Sequence, residues 1–246
     1  MRVEHMTWPE YRDSIATRIV VLPIGAIDGH GPHLPLSTDT IIAAHLAHAL
    51  ESHLDVLVLP AVPYSQKTDP TASGGEFPGV THLRASTLTN VVLDLLRASY
   101  RHGARRFLIL DSHKANAGSV RESADLFIDG APGTRIMAAA WWDLVSEDSR
   151  NAIAAETGVG RHDDHHAAMV ETSLIMHVSP EMVRRDLVGD DSVSRRARYL
   201  IRPVPDELRT RGGVVYRASR ASAAIGERLL AEIVANLVEA VKRELT

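Results

Sequence analysis

Short apolar runs alternate with amphipathic stretches along this chain. RIVVLPIG (18–25) is β-branched and apolar and ends in Pro and Gly, which predicts a buried strand. DVLVLPAVPY (55–64), RRFLILD (105–111) and TRIMAAAWW (134–142) predict three more. Between them the apolar spacing turns helical. TDTIIAAHLAHALESH (38–53) follows a cap at Ser37, Thr38 or Asp39, STLTNVVLDLLRASYRHG (86–103) stops at Gly103, and NAGSVRESADLFIDG (116–130) ends on a Gly. DHHAAMVETSLIMHVSP (164–180) and SAAIGERLLAEIVANLVEAVKREL (222–245) predict two further helices. QKTDPTASGGEFPGVTH (66–82) is rich in Gly, Pro, Ser and Thr and predicts a long loop of the functional or mobile kind. Residues 190–213 are irregular and basic. This alternation predicts an α/β fold, with a mostly parallel sheet covered on both faces, in one domain over 1–246.

In such folds the site lies beyond the carboxyl ends of the strands. IDGHGPHLPLSTD (27–39) follows the first strand and DSHKAN (111–116) follows the third, so the two belong at one sheet edge. Asp28 and His30, two residues apart, point the same way in an extended segment. Asp39 at a helix start and His113 in the neighbouring loop complete a mixed N/O ligand set for a divalent metal. Asp39 alone would suit a simple helix cap, and His45, His48 and His53 read as ordinary surface histidines. RHDDHHAAMVETS (161–173) is the second cluster. His166 and Glu171 are singled out there, although their spacing is slightly more than one helical turn. Asp163 and Asp164 read as solvated charges.

Composition narrows the classes. The 246 residues contain no cysteine, which excludes disulfides, thiolate metal sites and thiol nucleophiles and leans toward the cytoplasm. A net charge of -4 gives no nucleic-acid or anionic-membrane footprint, and no apolar run reaches membrane-spanning length. The 13 histidines are the unusual figure, because many sit in loops beside Asp or Glu. Lysine occurs only at positions 67, 114 and 242, so Lys114 inside DSHKAN stands apart from generic surface charge.

GAIDGHGPHLPLSTD, FPGVT (77–81), DSHKAN, HAAMVETS (166–173) and ASRASAAIGERLL (218–230) together resemble, in order, the motifs of the creatininase (creatinine amidohydrolase) family. The resemblance implies a three-layer α/β/α sandwich carrying one or two divalent ions, with zinc first and manganese or iron as alternatives. It implies a homo-oligomer, often a hexamer, that acts on a small molecule by metal-activated water. Asp28, His30, Asp39 and His113 would be the ligands, with Asp39 bridging, and His166 would shuttle protons. Lys114 would bind a substrate anion or steady an oxyanion. His33, Ser112, His165 and Trp142 are candidate substrate contacts. Two departures stand out. Asp28 replaces the family's glutamate, one methylene shorter. Ala115 replaces the second-metal glutamate of creatininase itself, which argues against creatinine and leaves Glu171, or less strongly His165, to supply that ligand. The expected reaction is cleavage of a C–N bond in a cyclic amide, amide or formamide. The alternatives are C–C bond or lactone hydrolysis and a non-catalytic small-molecule-binding relative.

Overall fold

The first strand is buried at every position, and its side chains alternate between two cores. In the computed structural model, which describes residues 1–73, 75–196 and 199–246, β1 spans Ile19–Ile24. Ile19 and Val21 pack with α2 (Thr38–Ala49), α6 (Met169–Val178) and α7 (Ala223–Leu245). Val20, Leu22 and Ile24 pack with α3 (Ala85–Arg101) and α4 (Ala117–Asp129). The two-residue period thus feeds one core on each face, which produces the three layers. The sheet runs in the order β2 (Val56–Val58), β1, β5 (Arg106–Asp111), β6 (Arg135–Ala140), and every pair is parallel. Ile24 lies opposite Asp111, and Ser112 N–H donates to the Ile24 carbonyl at 2.9 Å. The loops after β1 and β5 therefore leave the sheet at one level. A second parallel pair, β3 (Ser65–Gln66) with β4 (His82–Leu83), closes the base of the long loop between them.

Four expectations change in detail. The second strand is shorter than 55–64, because Pro60 and Pro63 have no N–H to give a ladder; the chain rejoins β1 only at Val62. The helix expected over 164–180 begins at Met169. Ala167 turns to φ 53, and the Asp164 carboxylate accepts the Val170 N–H at 3.1 Å, so 164–168 form a loop ahead of the helix. α1 (Trp8–Ser14) and α5 (Glu147–Thr157) carry too few apolar positions to read as periodic; α1 buries none of its residues and α5 only Ile153. Gly74, in the long loop, and Ala197 and Arg198, in the irregular basic stretch, lie outside the described residues.

Two close approaches fix the helices that carry the site. A Cβ on Gly25 would sit 2.4 Å from Thr40 Cα, so the first turn of α2 rests directly on the end of β1. A Cβ on Gly226 would fall 2.0 Å from the Ser173 carbonyl oxygen, which sets the packing of α7 on α6. Gly226→Ala is accordingly expected to force these helices apart and to cost about 1–3 kcal/mol, the usual range for overpacking. Thermal or urea unfolding would measure it, and an unchanged midpoint would show that the contact relaxes freely.

Candidate active site

Three loops and the starts of two helices converge above the carboxyl edge of the sheet. The β1 loop brings Asp28 and His30, the first turn of α2 brings Asp39, the β5 loop brings His113, the loop ahead of α6 brings His166, and the first turn of α6 brings Glu171. Asp39 lies at the centre. Its Oδ1 is 3.2 Å from His30 Nε2, and its Oδ2 is 2.6 Å from His113 Nδ1. Glu171 Oε2 stands 3.7 Å from the same His30 Nε2. On the far side of His113, Asp28 Oδ2 stands 3.9 Å from Nε2. One carboxylate thus joins two half-sites, each with an imidazole and an outer carboxylate. Asp28, His30, Asp39 and His113 are all buried.

Supporting bonds hold these groups. Gly29 N–H donates to Asp28 Oδ1 at 2.8 Å, and Ala167 N–H donates to Glu171 Oε2 at 2.7 Å. The second bond uses the left-handed turn at Ala167, an unusual conformation for a residue with a Cβ. Beneath the centre, Asp111 Oδ1 accepts His113 N–H at 3.1 Å and the Asn116 amide at 3.0 Å. The Asn116 oxygen in turn accepts Gln66 N–H at 3.0 Å. His166 Nε2 is 2.5 Å from the Gly29 carbonyl oxygen. A carbonyl only accepts, so Nε2 carries the proton and Nδ1 is the nitrogen left to exchange one.

The electrostatics are those of a site built around positive charge. Burial alone would lower the His30 pKa, but Asp39, Glu171 and Asp28 outweigh it and push it up to about 10. His113 is raised for the same reason, with Asp39 the main opposing influence to its burial. Asp39 is buried too, yet His30 and His113 hold its pKa below the usual carboxylate range. Glu171 is pushed by burial up to about 7, and Asp111 up to about 6. Burial and the neighbouring His30 hold His166 down to about 4. Protons are being drawn onto the imidazoles by buried carboxylates, and a divalent cation would neutralise the same carboxylates directly. The donor set fits such an ion. Among the described residues His30 Nε2 is buried with no hydrogen-bond partner, although Asp39 Oδ1 lies 3.2 Å away. His30, His166 and Glu171 each offer a ligand atom within 4.8 Å of the others.

The remaining predicted residues divide. His33 is buried, with Nε2 2.8 Å from Thr172 Oγ1. Ser112 is buried, and its hydroxyl has no partner among the described residues. Lys114 is exposed at the rim. It lies near enough to His165 to lower that imidazole's pKa, second only to burial. His165 faces Tyr216 edge-on at 6.3 Å. Trp142 follows β6 at the same end of the sheet, half-buried, and packs beside Trp141 against the α7 core. Asp164 is no solvated charge, since burial raises its pKa to about 6 and it anchors the start of α6. Sequence reasoning missed Thr68, whose Oγ1 is 2.9 Å from Asp28 Oδ2 and 2.8 Å from His113 Nε2. It also assigned no role to Asp111 or Asn116, although both sit in the DSHKAN motif.

A three-layer α/β fold with histidines and carboxylates gathered at one sheet edge has the donors to hold a metal ion. The comparisons narrow this to a family. A family model described as Creatininase, creatinine amidohydrolase, matches residues 4–241, and the chain belongs to the creatininase family of hydrolases. It is 29% identical over 250 residues to creatinine amidohydrolase of Pseudomonas putida, covering 98% of this chain and 96% of that one. It is 30% identical over 240 residues to the mycofactocin precursor peptide peptidase of Mycolicibacterium smegmatis (strain ATCC 700084 / mc(2)155), covering 92% and 85%. A solved manganese form of creatininase superimposes with a TM-score of 0.93 at 28% identity, covering 99% of this chain and 98% of that chain. Among the described residues, no helix is long and apolar enough to cross a membrane.

Proposed function

We propose that this chain is a metal-dependent hydrolase that cleaves a C–N bond, in a cyclic amide, amide or formamide, of a small molecule. The observation that carries the reading is the two-sided carboxylate of Asp39, set between His30 and His113 with Glu171 and Asp28 beyond them. In this reading Asp28, Asp39 and His113 hold one ion, and His30, Asp39 and Glu171 hold a second; Zn²⁺ and Mn²⁺ both suit such nitrogen and oxygen donors. A divalent ion there supplies two things, a lowered pKa for bound water and polarisation of the scissile carbonyl.

The chain's own groups do the rest. His166 is neutral at pH 7 and offers Nδ1 to take a proton and return it to the departing nitrogen. Glu171, 3.7 Å from His30 Nε2, is the carboxylate that would serve in place of one at Ala115. Lys114 is exposed at the rim rather than buried among the ligands, which suits it to a substrate anion more than to a developing oxyanion. The manganese form of creatininase supports the choice of ion, and the two relatives, one named for a cyclic amide and one for a peptide, support the bond class. We also read the protein as a cytoplasmic homo-oligomer, on the lack of cysteine and on the family resemblance.

Metal content per chain after purification without chelator, followed by a hydrolysis panel, tests the reading. The panel pairs neutral and carboxylate-bearing versions of cyclic amides, formamides and short peptides, and amine release is measured. Two ions and amine release are expected. Lys114→Ala should raise KM for the anionic members about 10-fold or more, with little effect on the neutral ones. Turnover of an added lactone or cyclic diketone, with the amides left intact, would move the assignment to C–C or lactone hydrolysis. A metal-free, inert but folded protein would leave only a binding role.

A further inference from the structure

Asp28 and His113 do not meet directly. Their nearest atoms are 3.9 Å apart, and the hydroxyl of Thr68 fills the gap, 2.9 Å from one and 2.8 Å from the other. The arrangement has a consistent proton order. Thr68 donates to Asp28, so its oxygen accepts the His113 Nε2–H, and Nδ1, 2.6 Å from Asp39 Oδ2, is the nitrogen left for an ion.

Thr68 comes from neither the sheet nor a core helix. It sits near the start of the 67–81 loop, whose base is closed by β3 and β4. That loop is itself held in several places. Gln66 N–H bonds Asn116 Oδ1 at 3.0 Å, and Ser119 Oγ donates to Gln66 Oε1 at 2.7 Å. Asp69 accepts Thr71 N–H at 2.9 Å and pairs with Arg202 at 3.1 Å. Further on, Phe77 lies against the backbone of Gly29 and Gly213, where a Cβ would come within 2.9 and 2.8 Å of its ring. The hydroxyl is therefore placed by the loop, and the loop is placed by its neighbours. The acid at position 28 is also one methylene shorter than the glutamate of the motif it resembles, and the hydroxyl spans the space this leaves.

We propose that Thr68 is a positioning residue for the Asp28–His113 half of the metal centre, its hydroxyl setting the separation of those two ligands and tying the 67–81 loop to that half-site. This rests on the metal-centre reading above.

The test measures Zn²⁺ and Mn²⁺ affinities of the full chain by competition with a chromophoric chelator, alongside the melting temperature of each metal-free variant. Thr68→Val keeps the shape and removes the hydroxyl. It should weaken one of two ions about 10–100-fold, the range for loss of a group that supports a ligand, and leave the other ion unchanged. Thr68→Ser should keep near wild-type affinity. Lengthening the acid, as in the double variant Asp28→Glu with Thr68→Val, should recover part of the loss. Thr68→Ala serves as the second hydroxyl-free variant if Thr68→Val melts early. Wild-type affinity for both ions in a folded hydroxyl-free variant would overturn the proposal while the metal-centre reading stands. A wild-type chain that binds neither ion would overturn both.

Discussion

Asp39→Ala is expected to empty the centre of metal and to cut turnover by more than about 100-fold, beyond the range seen when only a supporting partner of a ligand is lost. The reason is its position. Its two oxygens face different imidazoles, at 3.2 and 2.6 Å, so one substitution removes a ligand from both half-sites. Stability of the chelator-treated protein should change as well. His30 has a raised pKa of about 10, so its pairing contributes fully below the unfolded value of about 6.5 and fades as pH rises toward 10. Asp39 has a depressed pKa, so its share is present above about 4 and is lost as pH falls. The gap between wild type and Asp39→Ala should therefore be widest between about pH 4 and 6.5, where it reaches the 3–5 kcal/mol typical of a broken buried pair. Metal analysis and melting curves across pH measure both effects. A variant that keeps two ions and normal turnover would show that Asp39 is not a ligand.

The sheet edge that carries the centre was legible because its strands are short apolar runs ended by turn residues. That pattern placed the loops after β1 and β5 together, and with them Asp28, His30 and His113. The α3 and α7 helices were legible for a related reason, since each has a continuous apolar stripe. Sequence spacing misled where tertiary bonds override it. His166 and Glu171 look out of phase on a helix, but His166 is not on the helix. The turn at Ala167 and the Asp164 anchor bend the chain so that both side chains reach His30. Thr68 was beyond reach for a different reason. A threonine in a loop of Gly, Pro, Ser and Thr carries no periodic signal, and its contacts with Asp28 and His113 span 40 and 45 residues.

His166→Ala separates two roles that the geometry holds close together. The His166 ring lies 4.2 Å from that of His30, and with Glu171 the two could gather round one ion. Its own bonding favours proton transfer over ligation. Nε2 is committed to the Gly29 carbonyl, so only Nδ1 is available. The positive charge beside it keeps the ring neutral well below pH 7, with a pKa near 4. That repulsion persists when the charge is a bound cation instead of the His30 proton, so the neutral form should dominate throughout the working range. The expected result is a fall in kcat of about 10²–10⁴-fold, the usual contribution of a general acid–base group, with the metal count unchanged. Imidazole added to the solution should restore part of the lost rate, since a small base can enter the space the side chain leaves. Loss of one ion in parallel with activity would instead make His166 a ligand, and Glu171 would then share its half-site with two imidazoles. Full activity in the variant would transfer the proton-moving role to Glu171, whose raised pKa of about 7 makes it the next group in the centre able to serve.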